Sequence, residues 1–178
     1  MQSWRTLSRR SLFQAAPYVS VSVETVELPD NRVVEDFYQV DLAPCALIVP
    51  VMADGRILML RQYKHGPRRV SLTFPAGFVE DQEPGLCAAK RELLEETGCR
   101  AAEWVSMGSY VDNGNQRGCQ GHFFLAKGCQ RVQPPASGDL EEMVEELWTA
   151  ENLDAAVRKG EFAITHQVAA WGLARLYL

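Results

Sequence analysis

The segment from Gly77 to Cys99 sets one arginine and four of its glutamates at a spacing that suits a site for a metal ion and a phosphate. Its later part, CAAKRELLEET after Leu86, contains no proline or glycine and is rich in strong helix formers, so it predicts a helix. Pro84 and Gly85 precede this helix, and a proline suits a first helical turn because its missing N–H would have no partner there. Gly98 is typical of a helix end.

Three glutamates fall on one face of that helix, because Glu92, Glu95 and Glu96 are spaced i, i+3 and i+4. Like charges at this spacing repel by roughly a few tenths of a kcal/mol per pair in water, so the arrangement weakens an isolated helix. Hard divalent cations such as Mg2+ bind carboxylate oxygens together with the phosphates of a substrate. A binding site for a cation would explain why three glutamates share one face of the helix. The alternative is an acidic face that is only solvated.

The complete segment resembles a known family signature. It reads Gly77, five residues, Glu83, seven residues, Arg91-Glu92-Leu93, one residue, Glu95-Glu96, one residue, Gly98 and Cys99. This pattern resembles the Nudix box and departs from it only at Cys99, where Ile, Leu or Val is usual. The resemblance implies a Nudix hydrolase of the α/β (α+β) class, an α/β/α sandwich around a mixed sheet, which cleaves a nucleoside diphosphate linked to another group.

The resemblance also implies roles for residues of the box. A pyrophosphate is a polyanion that carboxylates would repel unless cations lay between them. Bound cations lower the pKa of a coordinated water and hold the attacking and leaving oxygens in line. The implied ligands of Mg2+ or Mn2+ are Glu92, Glu95, Glu96 and the backbone carbonyl of Ala76. The implied supports are Arg91 paired with Glu83, and Gly77; Arg91 and Glu95 also count among the expected catalytic residues.

Segments outside the box resemble the ADP-ribose pyrophosphatases and their nucleotide-sugar relatives. They are Trp4, the LPDN sequence at 28–31, and Arg61-Gln62-Tyr63-Lys64 leading to Phe74-Pro75-Ala76-Gly77. In those relatives an N-terminal ribbon commonly crosses to a second subunit, and two isolated strands need something to pair or pack with. We therefore expect residues 1–43 to form a β-ribbon extension that mediates a homodimer, and residues 44–178 to form the Nudix hydrolase domain.

Candidate substrate contacts lie in these segments and after the box. Lys64 takes the place of an arginine that touches the diphosphate in those relatives, and Arg61 is a nearby alternative. Trp4 is a candidate for stacking on a nucleobase, the alternative being that it packs at a subunit seam. The proline typical of ADP-ribose enzymes is absent from residues 110–118, where Arg117 and its neighbours either supply donors for a different sugar or base or form a solvated loop.

A second acidic segment, residues 138–148, supplies candidates for a catalytic base. It resembles the mobile loop in which related pyrophosphatases carry a catalytic glutamate, and the alignment favours Glu142, followed by Glu141 and Glu145. The alternatives are a charged linker without a catalytic role, and a metal-bound hydroxide that needs no separate base.

Composition narrows the class of protein. A length of 178 residues suits one domain with an extension. A formal net charge of −5 favours small anionic ligands bound with a metal and predicts no nucleic-acid partner. Five cysteines without a C-x-x-C pair indicate reduced thiols rather than a zinc site. The sequence has no run of about eighteen apolar residues, so it predicts no membrane span. We expect a cytoplasmic protein, because the sequence after the Arg9-Arg10 pair lacks the apolar stretch of an export signal.

Apolar patterns predict strands around the box and helices after it. The predicted strands are Val19–Leu28, Val33–Leu42, Ala46–Val51, Ile57–Tyr63, Val70–Phe74, Trp104–Val111, His122–Ala126 and Leu147–Thr149, and the predicted later helices are Glu151–Arg158 and Ile164–Leu176. Strands first, one embedded helix and helices at the end suit a layered domain.

The sequence thus predicts a metal-dependent hydrolase that splits ADP-ribose or a similar nucleotide sugar into a nucleoside monophosphate and a sugar phosphate. Two alternatives remain open: a Nudix module that senses such a molecule without turning it over, and an enzyme for another substrate such as GDP-mannose or a nucleoside triphosphate. The intact Arg91, Glu92, Glu95 and Glu96 favour an enzyme over a sensor.

Overall fold

The structure, a computed structural model, describes residues 1–138, 140 and 142–178. Its strands are β1 (Arg5–Ala15), β2 (Val19–Glu27), β3 (Val33–Leu42), β4 (Cys45–Met52), β5 (Ile57–Lys64), β6 (Arg69–Thr73), β7 (Ala76–Phe78), β8 (Cys99–Arg100), β9 (Glu103–Asn113), β10 (Arg117–Arg131) and β11 (Met143–Trp148). Its helices are α1 (Gly85–Thr97), α2 (Ala150–Arg158) and α3 (Thr165–Ala174). The chain divides into two compact units, residues 1–44 with 111–120, and residues 45–110 with 121–178.

The first unit is built on antiparallel pairing of β1 with β2 and of β2 with β3. Residues 117–118 of β10 add a short parallel pairing to residues 40–41 of β3. The predicted strands at 19–28 and 33–42 are confirmed to within one residue. Strand β1 was not predicted, because all but the last of its residues are exposed and no alternation of polar and apolar side chains marks it.

The second unit contains a mixed sheet. Strand β4 lies parallel to β10 and antiparallel to β7 and β5, and β5 pairs antiparallel with β6 and β11. Strand β11 begins at Met143, four residues before the predicted strand, and Thr149 is not part of it. Thr149 instead caps α2, since its hydroxyl accepts a hydrogen bond from the Asn152 N–H at 3.3 Å.

Helices cover both faces of this sheet. Successive side chains of a strand point to opposite faces, so each strand contributes to two cores. Ala46 and Ile48 of β4 pack in a core with α1, whereas Leu47 and Val49 pack in a core with α2 and α3. The helix residues of the first core are Ala88, Ala89 and Leu93, and those of the second are Leu153, Ala156, Ala170, Trp171 and Ala174. The second unit is therefore an α/β/α sandwich, and the predicted α/β class is confirmed.

Helix α1 ends at a glycine that no other residue replaces easily. Gly98 has φ 65°, a left-handed conformation, and its N–H donates to the Leu94 carbonyl at 2.8 Å. A Cβ at this position would also overlap the backbone carbonyl of Gln133. The predicted helix end is confirmed, but the start differs: Pro84 has an extended backbone and precedes the first helical residue, Gly85.

Gln167 of α3 holds the chain where it leaves β6. This side chain is only 5% exposed. Its Oε1 accepts a hydrogen bond from the Phe74 N–H at 2.6 Å, and its Nε2 donates to the Phe74 carbonyl at 3.3 Å. Both backbone groups of Phe74 are thus hydrogen-bonded inside the protein, so the position of the following residues, Pro75 to Gly77, is fixed at its start.

No helix among the described residues is long and apolar enough to cross a membrane.

Candidate metal and diphosphate site

The three glutamates of α1 differ in burial. Glu96 is 7% exposed and its Oε2 accepts a hydrogen bond from the Ala76 N–H at 3.0 Å. The side chain of Glu92 is 12% exposed and that of Glu95 is 43% exposed. Buried carboxylates are costly unless they are paired, so Glu92 and Glu96 need a specific partner more than Glu95 does.

Arg91 supplies the charge that holds this side of α1 together. Its guanidinium makes a two-pronged contact with Glu83, at 3.2 Å from Nε and 3.0 Å from Nη2. Its Nη1 donates to Glu92 at 2.6 Å and to Glu95 at 3.3 Å, and its Nη2 also donates to the Phe78 carbonyl at 2.9 Å. One arginine therefore orients three carboxylates and the end of β7, a task for which its planar fork of donors is suited.

These contacts shift pKa values in the direction expected for an ion pair. Hydrogen bonds from Arg91 are the main reason that the pKa of Glu83 lies below its ordinary value, with a smaller contribution from the Glu80 N–H. Hydrogen bonds to Glu83 are the main reason that the pKa of Arg91 is raised. Both side chains are charged at neutral pH, so the support of the glutamate cluster is electrostatic as well as geometric.

Gly77 is required by the close approach of β7 to α1. A Cβ at this position would overlap both carboxylate oxygens of Glu92. The adjacent Ala76 pairs with Leu47 of β4 and Gly77 pairs with Ala46, so β7 cannot move away freely. The glycine therefore leaves space for a carboxylate, which is the physical reason for a glycine at this point of the box.

A cavity of about 540 Å3 opens between α1, β7 and the end of β5. Acidic and basic groups both border it, and Lys64 of β5 is the cation on the wall made by the sheet. The lining residues are Cys45, Lys64, Ala76, Gly77, Phe78, Glu80, Arg91, Glu92 and Glu96. A site with hard carboxylate oxygens beside a cation suits a divalent metal and a phosphate together.

The sequence places the chain in a known family. The profile of the NUDIX domain matches residues 41–167, which is more than half of the chain. The protein belongs to the NUDIX family. The family prediction is thereby confirmed, and because Nudix hydrolases generally use a divalent metal, the carboxylates that border the cavity fit the family's chemistry.

Relatives of known name extend the comparison. The ADP-ribose pyrophosphatase of Bacillus subtilis (strain 168) is 28% identical over 142 residues, 79% of this chain and 75% of the relative. The CMP-5'-(N-acetyl-N-hydroxy-3-aminopropyl)phosphonate hydrolase of Streptomyces rubellomurinus (strain ATCC 31215) is 33% identical over 135 residues, 74% of this chain and 62% of the relative. The crystal structure of an ADP compounds hydrolase matches 100% of this chain and 95% of its own with TM-score 0.81 at 19% identity, which shows a shared Nudix fold.

Arg61 is not brought to this cavity, although it is only three residues from Lys64. On β5, Leu58 and Leu60 pack towards α1 and Met59 packs towards α2 and α3, so Arg61 continues the opposite face. There its guanidinium binds Glu146 at 2.5 and 3.1 Å and Glu161 at 3.3 Å. These contacts give Arg61 a structural partner on the far side of the sheet.

Two other predicted substrate contacts belong to the first unit. Trp4 meets Phe37 edge to face, with 5.5 Å between ring centroids, and both border a cavity of about 370 Å3 together with Gly114 and Asn115. Arg117 forms an ion pair with Asp41 at 3.1 Å. The structure therefore brings Trp4 close to the loop that the sequence singled out for its hydrogen-bond donors, a proximity that sequence reasoning missed because the two segments are far apart in the chain.

Two of the candidates for a catalytic base, Glu142 and Glu145, lie at the start of β11. Glu142 is exposed and comes immediately before Met143, which pairs with Gln62 of β5. Glu145 forms an ion pair with Arg131. Glu141 lies outside the described residues, so the base stays a prediction.

We expect Gly77→Ala to weaken the binding of Mn2+ by about tenfold or more, because the added methyl group displaces the Glu92 carboxylate from its position beside Arg91. Calorimetric titration with Mn2+ measures the effect. Gly66→Ala is the matched control, since a Cβ there meets nothing within 4 Å. Equal Mn2+ affinities for the two variants would mean that Glu92 is not a ligand.

The ion pair of Glu83 predicts a pH dependence of stability. Because the folded pKa of Glu83 lies below its ordinary value of 4.5, its charge stabilises the fold above that value and the contribution is lost as the pH falls through the folded pKa. We expect Glu83→Gln to lower the free energy of unfolding by about 2 kcal/mol at pH 7 and by less at acid pH. Urea unfolding of wild type, Glu83→Gln and the exposed control Glu35→Gln across this range measures it. A deficit that stays constant down to pH 3 would contradict the assignment.

Proposed function

We propose that this protein hydrolyses the pyrophosphate bond of a nucleoside diphosphate linked to a sugar, ADP-ribose or a similar nucleotide sugar, with Mg2+ or Mn2+ bound. The products are a nucleoside monophosphate and a sugar phosphate. The observation that carries the proposal is the cavity that Glu92, Glu96 and Lys64 line together, with Arg91 bound to Glu92 at its edge. Anionic ligands for a metal and a cation for a phosphate meet there at one place.

The relatives support this substrate class. One is named for the hydrolysis of ADP-ribose and another for the hydrolysis of a CMP-linked phosphonate, so both act on a nucleotide joined to another group. The difference between ADP and CMP among relatives of similar identity leaves the base to be measured. GDP-mannose and nucleoside triphosphates are the alternative substrates, and a sensor without turnover is the alternative function.

The residues that line the cavity, and others beyond its lining, would have roles that follow from their charge. Glu92, Glu95, Glu96 and the Ala76 carbonyl would hold the divalent ion. That ion, when bound, offsets the charge of the diphosphate and acidifies a coordinated water. Lys64 attracts the diphosphate as a point charge, and Arg91 with Glu83 keeps the carboxylates in position. Glu142 is the proposed base, placed at the start of β11 where it is exposed to water.

The polar loop after the box is partly occupied by its own contacts. The Asn113 side chain accepts hydrogen bonds from the backbone N–H groups of Asn115 and Gln116, at 2.9 and 2.8 Å. Arg117 is paired with Asp41. We infer that sugar or base selection by this loop falls to the Asn115 side chain, which borders the same cavity as Trp4.

We also propose a homodimer formed through the first unit. Strand β1 is exposed along ten of its eleven residues and carries large apolar side chains, Leu7, Leu12 and Phe13, that are 42–55% exposed. An exposed strand that carries large apolar side chains tends to find a partner. The cytoplasmic location and the absence of a nucleic-acid partner stay predictions, the latter resting on the net charge of −5.

Sedimentation equilibrium tests the dimer. We expect twice the mass of the chain for the wild type and the mass of one chain for Phe13→Asp, because a charge would be buried in the contact. Val132→Asp, which alters an apolar residue of similar exposure in the second unit, should leave the mass unchanged. A monomeric wild type at micromolar concentration would refute the dimer.

Incubation with Mg2+ and a panel of nucleoside diphosphate derivatives in 18O-labelled water tests the reaction. Mass spectrometry of the products identifies the preferred substrate and the phosphorus that is attacked. We expect Glu96→Gln to reduce turnover by roughly two orders of magnitude or more, because it keeps an acceptor for the Ala76 N–H but loses the charge that binds the metal. The exposed Glu151→Gln is the control.

Unchanged turnover of Glu96→Gln would refute the metal site. The absence of any product across the panel, with Mg2+ still bound, would favour the sensor over the enzyme.

A further inference from the structure

A second cavity lies on the side of α1 away from the glutamates. Its volume is about 510 Å3, and its walls are α1 and the chain from Cys99 to Trp104. On a helix that turns by roughly 100° per residue, Lys90 and Leu94 point roughly 160° away from Glu92. Ligands of the two cavities would therefore occupy different sides of the same helix.

The lining of this cavity combines positive charge with apolar surface. Its exposed cations are Lys90 on α1 and Arg100 on β8, and its apolar walls include Leu93, Leu94, Ala101 and Trp104. Arg91 also borders it, but the guanidinium of Arg91 is already used by Glu83, Glu92 and Glu95. The charge available to a ligand comes from Lys90 and Arg100.

Both of these cations lack a carboxylate partner within the part of the chain that the structure describes. By contrast, Arg61, Arg91 and Arg117 are each paired with a carboxylate. Two unpaired cations beside one cavity favour an anion over a neutral or cationic ligand.

Trp104 presents an aromatic surface to the same cavity. It is half-buried and meets Phe124 edge to face, with 6.3 Å between ring centroids and an angle of 76°. The contact with Phe124 fixes the ring without covering it face to face. A planar group of a ligand is able to stack on such a surface, and stacking of bases on aromatic rings does not depend on which base is present.

We propose that this cavity binds a mononucleotide, with the phosphate at Lys90 and Arg100 and the base against Trp104. The volume lies within the range of small-molecule sites, which is roughly 300–1,000 Å3. Lys90 and Arg100 supply donors for phosphate oxygens, and the stack supplies apolar contact. The site does not depend on the proposed reaction, because none of the three residues belongs to the glutamate cavity.

Calorimetric titration with adenosine monophosphate in the presence of EDTA tests the site without metal. We expect Lys90→Ala with Arg100→Ala to weaken binding by about thirtyfold or more, through the loss of two charge-assisted contacts. Lys64→Ala is the matched variant for the glutamate cavity, and Arg158→Ala controls for the loss of an exposed charge; both should bind as the wild type does. Adenosine and ribose 5-phosphate should each bind at least about tenfold more weakly than the complete nucleotide.

A local readout locates the ligand. The indole N–H signal of Trp104 in a 15N spectrum, identified by its loss in Trp104→Phe, should shift on addition of adenosine monophosphate, and the same shift should be absent in the Lys90→Ala, Arg100→Ala variant. The proposal is overturned if the wild type does not bind adenosine monophosphate at millimolar concentration, or if Lys64→Ala removes binding instead. It is also overturned if the Lys90→Ala, Arg100→Ala variant changes only the sedimentation mass. That result would indicate that a second copy of the chain covers this surface.

Discussion

The repulsion between carboxylates on α1, and the single arginine that offsets it, is the constraint on which the structure of the site depends. Glu92, Glu95 and Glu96 share one side of a helix at a spacing that disfavours the helix in water. Arg91 reaches Glu83, Glu92 and Glu95, while the Ala76 N–H serves Glu96. The ion pairs with Arg91 offset part of this repulsion, and the burial of Ala88, Ala89 and Leu93 against the sheet stabilises the helix.

The sheet supplies the positions that the helix needs. Ala88, Ala89 and Leu93 of α1 pack on alternate residues of β4 and β5, which fixes the rotation of the helix about its axis. The short strand β7 then passes close enough to α1 that only a glycine fits beside Glu92. The geometry of the site therefore comes from the packing of a helix on a sheet, and the charged residues are added to a framework that apolar burial already determines.

The sequence predicted those parts of the structure whose geometry is local. The residues of α1 share a face because the period of a helix is fixed, and Gly98 ends the helix because it adopts a left-handed conformation. The exposed strand β1 escaped prediction because strands are recognised by alternate burial, which β1 lacks. Arg61 was grouped with Lys64 by nearness in sequence, although a separation of three on a strand places two side chains on opposite faces. The meeting of Trp4 with residues 114–115 depends on contacts across the chain that no local pattern contains.

The hydrogen bonds between Gln167 and Phe74 join residues that are 93 positions apart. When the glutamates of α1 have been synthesised, Gln167 has not. Gln167 is the residue that anchors Phe74, from which the chain leads to Ala76 and Gly77. During synthesis, the glutamates of α1 are therefore present before their surroundings are complete. The surroundings of the site are therefore complete only after Gln167 of α3 has been synthesised.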